Sequence, residues 1–302
     1  MRHFIGFRKI EIHDKQKDIT FPMFVMYPTE VSSKTVAMGP YMLDVSPDAP
    51  MVSRAFPFVI ISHGSGGSNL AYYTLGSHLA RNGFVVSMPE HPFNNRVDNR
   101  LEGTMEGFIN RLRHITLIID SMFSSDVFGQ HLLQDRVAMI GHSIGANTAL
   151  VLAGGKPLHP SEYRIKYGQI YNEKKEETGK VNLTTDARIK AIVLFTLDPR
   201  WFSGEGALKN IKASILLLNA EKDEYIPCFG EEKILSGFPE NLLVHQRIVK
   251  NAGHFSFLSP FPEVIRARAG VAAKDPEGFD REAFHRNLNE EVVGFLKQVM
   301  EK

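Results

Sequence analysis

The chain has 302 residues, 43% of them apolar, which is enough to bury a large core as a single α/β domain spanning 1–302. Lys and Arg number 35 against 34 for Asp and Glu, so the net charge of +1 supplies no electrostatic reason to expect nucleic acid or an anionic membrane as partner. The single cysteine, Cys228, excludes an intrachain disulfide, the charged start leaves no apolar signal core, and no run nears the ~20 apolar residues of a membrane span, so a cytoplasmic protein with no membrane span is expected.

Two β-like stretches, 7–12 and 20–27, open the chain and read as an antiparallel pair, with Pro22 suited to an edge position. Residues 28–50, heavy in Pro, Ser and Asp, read as a loop. Short apolar runs then alternate with helix-length segments. The strands are expected at 58–61, 84–86, 137–140, 191–195, 215–218 and 243–244, and the helices at 70–82, 107–123, 143–153, 231–236 and 281–300. Such alternation implies a mostly parallel sheet covered by helices on both faces. The last helix is the clearest, because Phe284, Leu288, Val292, Val293, Phe295, Leu296 and Val299 recur near helical spacing and mark a face for the core. Residues 155–188 break the rhythm with prolines, a charged run at 172–177, and Tyr163, Tyr167 and Tyr171 at i, i+4, i+8. They are expected to form a small cap inserted after the 143–153 helix, or else a solvated surface excursion.

Residues 141–145 read Gly-His-Ser-Ile-Gly between an expected buried strand and an expected helix. The motif alone is common; its placement makes Ser143 a candidate nucleophile, since a sharp strand-to-helix turn exposes the hydroxyl and flanking glycines permit that turn. A serine nucleophile needs a histidine base, a carboxylate to orient the base, and backbone donors for the oxyanion. His254, in Asn-Ala-Gly-His-Phe after the last expected strand, is the candidate base. Asp223 follows the 215–218 strand and completes the order Ser143, Asp223, His254; Asp198, one strand earlier, is the rival acid. Glu221 and Glu224 read as solvated neighbours of Asp223. The N–H of Ile144 and one from the Ser62-His63-Gly64-Ser65-Gly66-Gly67 loop are expected to form the oxyanion hole, with Ser65 first and Gly64 second. Neither a P-loop ending nor a metal-binding spacing of His, Cys or acidic residues occurs, so no cofactor and no metal are expected; His91 reads as a loop residue beside the pocket, and Cys228 as a packed small residue.

Five segments together resemble one branch of the α/β-hydrolases, the predicted dienelactone hydrolases that are similar to intracellular platelet-activating-factor acetylhydrolases. They are F-V-I-I-S-H-G-S-G-G at 58–67, G-F-V-V-S-M-P-E-H-P at 83–92, G-H-S-I-G-A at 141–146, the stretch 220–227, and A-G-H-F-S-F-L at 252–258. The resemblance implies an α/β-hydrolase fold of eight strands and hydrolysis of a small-molecule ester through an acyl-enzyme. Serine at the elbow departs from the cysteine nucleophile of true dienelactone hydrolases, and similarity to the acetylhydrolases implies a short acyl group. The expectation is a serine carboxylesterase. A peptidase or thioesterase using the same triad, and a non-catalytic binding module on the same fold, are the alternatives.

Overall fold

Successive residues of a strand point to opposite faces of its sheet, and in this chain the apolar runs are buried on both. The computed structural model describes residues 3–167, 183–226 and 236–300. Its strands are β1 (Phe4–Asp14), β2 (Ile19–Thr29), β3 (Lys34–Met38), β4 (Tyr41–Pro47), β5 (Phe56–Ser62), β6 (Val85–Pro89), β7 (Leu132–His142), β8 (Ile189–Phe195), β9 (Ser214–Ala220) and β10 (Val244–Val249). The helices are α1 (Tyr73–Arg81), α2 (Met105–Ser124), α3 (Ile144–Leu152), α4 (Pro160–Tyr167), the single turn α5 (Glu263–Arg266) and α6 (Arg281–Met300).

Phe58, Ile60, Met139, Ile192, Leu194 and Leu217 face one layer of core together with α2 and α3. Val59, Ile61, Ile140, Val193, Phe195 and Leu218 face the other, with α1 and α6. Each fully buried Leu, Ile or Phe contributes roughly 1.5–3 kcal/mol relative to exposure, so the two layers together form the main stabilising mass of the fold.

The sheet has the order β10-β9-β8-β7-β5-β6-β2-β1-β4-β3. From β10 to β6 every pair is parallel. Beyond β6 the β2 and β1 strands run antiparallel, as the opening of the sequence implies. The chain therefore has the mostly parallel α/β-hydrolase architecture, but with ten strands rather than eight. The two additional strands are the β3–β4 hairpin, which lies in the segment expected to be a loop and joins the sheet where β4 pairs with β1. A second correction concerns Pro22: β2 is an interior strand. Its missing N–H is tolerated because pairing with β6 stops at Met23↔Pro89, one residue short of it.

Expected helices 70–82, 107–123, 143–153 and 281–300 appear as α1, α2, α3 and α6, α2 beginning at a Thr104 cap whose hydroxyl accepts the Gly107 N–H at 3.1 Å. The expected helix 231–236 lies almost wholly outside the described residues, as do Cys228, Tyr171 and residues 168–182 of the expected cap. The described part of that cap includes α4, where Tyr163 is buried and packs edge-on toward Trp201 with ring centroids 6.4 Å apart. Because β5, β7, β8, β9 and β10 are parallel, their carboxyl ends all open on one edge of the sheet, where sites in such folds form.

Candidate active site

Strand β7 ends at His142 and α3 begins at Ile144, so a single residue, Ser143, makes the turn between them. Its backbone sits at φ 55°, ψ −122°, a conformation that costs on the order of 1–3 kcal/mol for a residue with a side chain and persists only where surrounding packing enforces it. The two flanking glycines allow the packing. A Cβ on Gly141 would run into the Gly145 carbonyl, and one on Gly145 into the carbonyl of Ser62, so neither position has room for a side chain. The Ser143 N–H donates to Phe195 O at 2.9 Å, tying the elbow to β8, and its carbonyl accepts the Ala146 and Asn147 N–H groups to start α3. Ile144 is the first residue of that helix, and a first-turn N–H has no acceptor within its own helix.

His254 lies just past β10, and its ring Nδ1 is 2.8 Å from Asp223 Oδ2. The other oxygen of Asp223 accepts the N–H groups of Tyr225 (2.9 Å) and Ile226 (2.8 Å), which fixes the carboxylate against its own loop. Nδ1–H directed at Asp223 leaves Nε2 as the basic nitrogen of a neutral ring. The rival acid lines the same cavity as Ser143 and His254 but is bonded to other partners. Asp198 forms a two-pronged ion pair with Arg200 at 2.8 and 2.9 Å, and it caps the short helix Pro199–Phe202 by accepting the Arg200 N–H.

Two glutamates expected to be solvated are exposed and in addition brace the histidine loop. Glu224 Oε2 accepts the His254 N–H at 3.2 Å, and Glu221 holds the Asn251 N–H at 2.8 Å and the Lys250 ammonium at 2.7 Å. His142 joins the loop from the elbow side, its Nε2 donating to the His254 carbonyl at 2.9 Å. Burial pulls the His142 imidazole down to about 3, so at neutral pH it is an uncharged donor.

The Ser62–Gly67 loop follows β5. The Gly67 N–H closes it onto Gly64 O at 3.1 Å, and Gly66 adopts φ +63°, which glycine takes without strain. Gly64 lies against the elbow, where an added Cβ would sit 3.5 Å from Ser143 Cβ. The exposed Ser65 hydroxyl donates to Glu102 at 3.0 Å and accepts from Asn94 at 2.9 Å, so it is the backbone N–H of Ser65, not the hydroxyl, that is free of side-chain duties. Beneath the loop lies a buried polar cluster. His63 accepts the His91 N–H at its Nε2 (3.1 Å) and directs Nδ1 to Gly64 O (2.7 Å). His91, expected beside the pocket, is wholly buried between Ser62, His63 and His114.

Gly64, Ser65, His142, Ser143, Ile144 and His254 line one cavity of about 950 Å³, in the range that holds small molecules. Its walls are largely apolar, with Tyr72 and Leu70 on one side, Phe108 packed edge-on against Trp201 at 4.8 Å on another, and Leu258, Phe261 and Ile265 from the segment after His254. Glu90, Glu102, Arg96 and Arg268 also line it. Among the described residues, no three of His, Cys, Asp and Glu are grouped to hold a metal ion, and no helix is long and apolar enough to cross a membrane.

Sequence reasoning missed Glu224, His142 and the cluster beneath the loop. One signal was available. Phe108, Arg111, Ile115, Ile118 and Met122 follow helical spacing, so an arginine stands in the apolar stripe of α2, and a charge in such a stripe is either paired or functional.

The model of the family "Platelet-activating factor acetylhydrolase, isoform II" matches residues 26–97, which include β5, β6 and the Ser62–Gly67 loop but none of Ser143, Asp223 and His254. No curated protein sequence matches the chain. Solved structures do. A ferulic acid esterase from Streptomyces cinnamoneus aligns with TM-score 0.68 at 16% identity, covering 100% of this chain and 91% of its own. A dienelactone hydrolase from Anabaena variabilis aligns with TM-score 0.57 at 15% identity over 95% of this chain and 97% of its own. A predicted CIB-like hydrolase from Thermoplasma acidophilum aligns with TM-score 0.51 at 14% identity over 96% and 99%. At these identities the likeness is one of fold, and it extends over the whole chain.

Proposed function

We propose that this α/β-hydrolase chain is a serine carboxylesterase that cleaves a short-chain carboxylic ester through an acyl-enzyme. The observation that carries the reading is the 2.8 Å contact of His254 Nδ1 with the buried carboxylate of Asp223, His254 lining the same cavity that Ser143 lines from a strained elbow. In this reading Ser143 Oγ attacks the ester carbonyl while His254 Nε2 accepts its proton. The amides of Ser65 and Ile144 hold the oxyanion of the tetrahedral intermediate. The intermediate collapses, His254 gives the proton to the departing alkoxide, and a water activated by the same nitrogen then releases the acid and regenerates the serine. Asp223 keeps the imidazole in the tautomer that can do this. The chemistry uses no cofactor or metal.

The short acyl group is supported by the likeness of residues 26–97 to an acetylhydrolase family. A cytoplasmic location is part of the reading and rests on the single cysteine. The test is a hydrolysis profile of p-nitrophenyl esters from acetyl to palmitoyl, on wild type and Ser143→Ala in parallel. Turnover is expected to peak at acetyl or butyryl and to fall by about 10⁴ to 10⁶ in the variant. Full activity in Ser143→Ala would end the serine mechanism, and a peak at palmitoyl would end the short-chain assignment.

A further inference from the structure

The guanidinium of Arg111 is 1% exposed and lies directly beneath the Ser62–Gly67 loop. It makes a fan of contacts to one side of that loop. Nη1 donates to His63 O at 2.6 Å, Nη2 to Gly64 O at 3.2 Å and to Asn94 O at 3.3 Å, and Nε to Asn94 Oδ1 at 2.6 Å. Every one of these acceptors is neutral, and among the described residues no carboxylate pairs with it. The three histidines of the cluster are uncharged: burial and the nearby cation hold His63 down to about 3 and His91 well below its ordinary value, and burial with the cation of Arg113 does the same for His114. Burial draws Arg111 itself down only to about 9, so it is a cation at neutral pH. A buried charge without a counter-ion is costly, and hydrophobic residues of similar volume would stabilise the fold better. An arginine kept there calls for a return in function.

Resting on the esterase reading, we propose that Arg111 is a positioning residue that aims the oxyanion donors of the Ser62–Gly67 loop at Ser143. In a trans peptide the C=O and N–H point in opposite directions. With the Gly64 carbonyl turned down onto the guanidinium and onto the His63 ring, the Ser65 N–H of the same peptide unit is turned up, toward the cavity. Gly64 itself lies against the elbow, where an added Cβ would sit 3.5 Å from Ser143 Cβ, and Ser65 lines the same cavity as Ser143. The cation acts a second way. A carbonyl bound to a positive donor polarises its peptide, which strengthens the N–H at the other end, and in a low-dielectric site the charge itself favours a nearby developing oxyanion.

The experiment compares wild type, Arg111→Met, Arg111→Lys and Asn94→Ala on p-nitrophenyl butyrate. It adds inhibition by a trifluoromethyl ketone of the same acyl length, whose hemiketal oxyanion mimics the intermediate, and active-site titration with a fluorophosphonate. Removing the fork in Arg111→Met is expected to lower kcat by about 10²- to 10³-fold with KM little changed, the signature of a lost oxyanion donor. The ketone should weaken in proportion, while Lys restores part of the rate because a point charge cannot hold four acceptors at once. Asn94→Ala removes one brace of the guanidinium together with a bond to the Ser65 hydroxyl and should shift kcat the same way by about tenfold; if Arg111→Met does not fold, Arg111→Lys, which leaves Asn94 and Ser65 in place, decides the matter by its partial loss of kcat. Unchanged kcat and ketone affinity in a folded Arg111→Met, or in Arg111→Lys where Arg111→Met does not fold, would overturn the role of Arg111 and leave the esterase reading standing. A wild type that neither turns over esters nor reacts with the fluorophosphonate would remove both together.

Discussion

The proposed nucleophile and its proposed base are held in opposite ways. Ser143 is fixed by backbone: one residue joins β7 to α3, two glycines leave no room for alternatives, and main-chain bonds to Phe195 and within α3 complete the turn. His254 is fixed by side chains that arrive from separate parts of the chain, namely Asp223 on its ring, Glu224 on its N–H and His142 on its carbonyl. A backbone device needs particular residues in one contiguous stretch. A side-chain device can be assembled from many sequences, and it fails one bond at a time.

The largest effect expected from that contrast is on turnover. Asp223→Asn should lower kcat by about 10⁴, because an amide in place of the carboxylate stabilises the wrong tautomer of His254 while the fold is kept. Asp198→Asn should leave kcat within about tenfold and instead cost about 1–3 kcal/mol, since it weakens a partly buried pair with Arg200 and a helix cap. Parallel kinetics and urea unfolding of the two variants separate these outcomes. If Asp198→Asn is the inactive one, the acid has been assigned to the wrong loop.

The elbow should respond to perturbation in stability first. Gly145→Ala pushes a methyl into the Ser62 carbonyl, which belongs to a fully buried strand and cannot yield cheaply. A loss of at least about 3 kcal/mol in urea unfolding is expected, the upper range for overpacking a core. A folded, fully stable Gly145→Ala would show that the elbow is softer than its contacts imply.

This contrast also explains which parts of the molecule could be read from residues alone. The parallel strands were legible because burial on both faces demands runs such as Phe58-Val59-Ile60-Ile61, and Gly-His-Ser-Ile-Gly was legible because its glycines answer to local sterics. The β3–β4 hairpin was not: β3 is mostly exposed, its flanks carry Pro and Ser, and it owes its strand conformation to pairing with β4, which in turn pairs with β1. Glu224 and Arg111 escaped for a related reason. Their roles depend on what lies across the fold, 30 residues away for Glu224 and 47 for the Arg111 contact with Gly64. The spacing of α2 marks Arg111 as a charge in an apolar stripe, but nothing within either segment records the partner across the fold.

The smallest effect concerns His142, which belongs to both regions, since it is the elbow residue that holds the histidine loop. Burial lowers the imidazoles of His63, His114 and His142 to about 3, that of His285 to about 4, and that of His91 well below normal. All five are depressed below the unfolded value near 6.5, so below that pH the unfolded chain binds protons that the folded chain refuses. Stability is therefore level above about pH 7 and falls as pH drops toward the folded values, by up to about 1.4 kcal/mol per pH unit for each histidine. In urea unfolding between pH 7.5 and 5, His142→Gln should lessen that slope by one histidine's share. It should also lower kcat by a few-fold, because the His254 carbonyl exchanges a fixed ring donor for a freely rotating amide. A slope unchanged in His142→Gln would mean that His142 already binds a proton in the folded state, and its bond to the His254 carbonyl would then be a charge-assisted one.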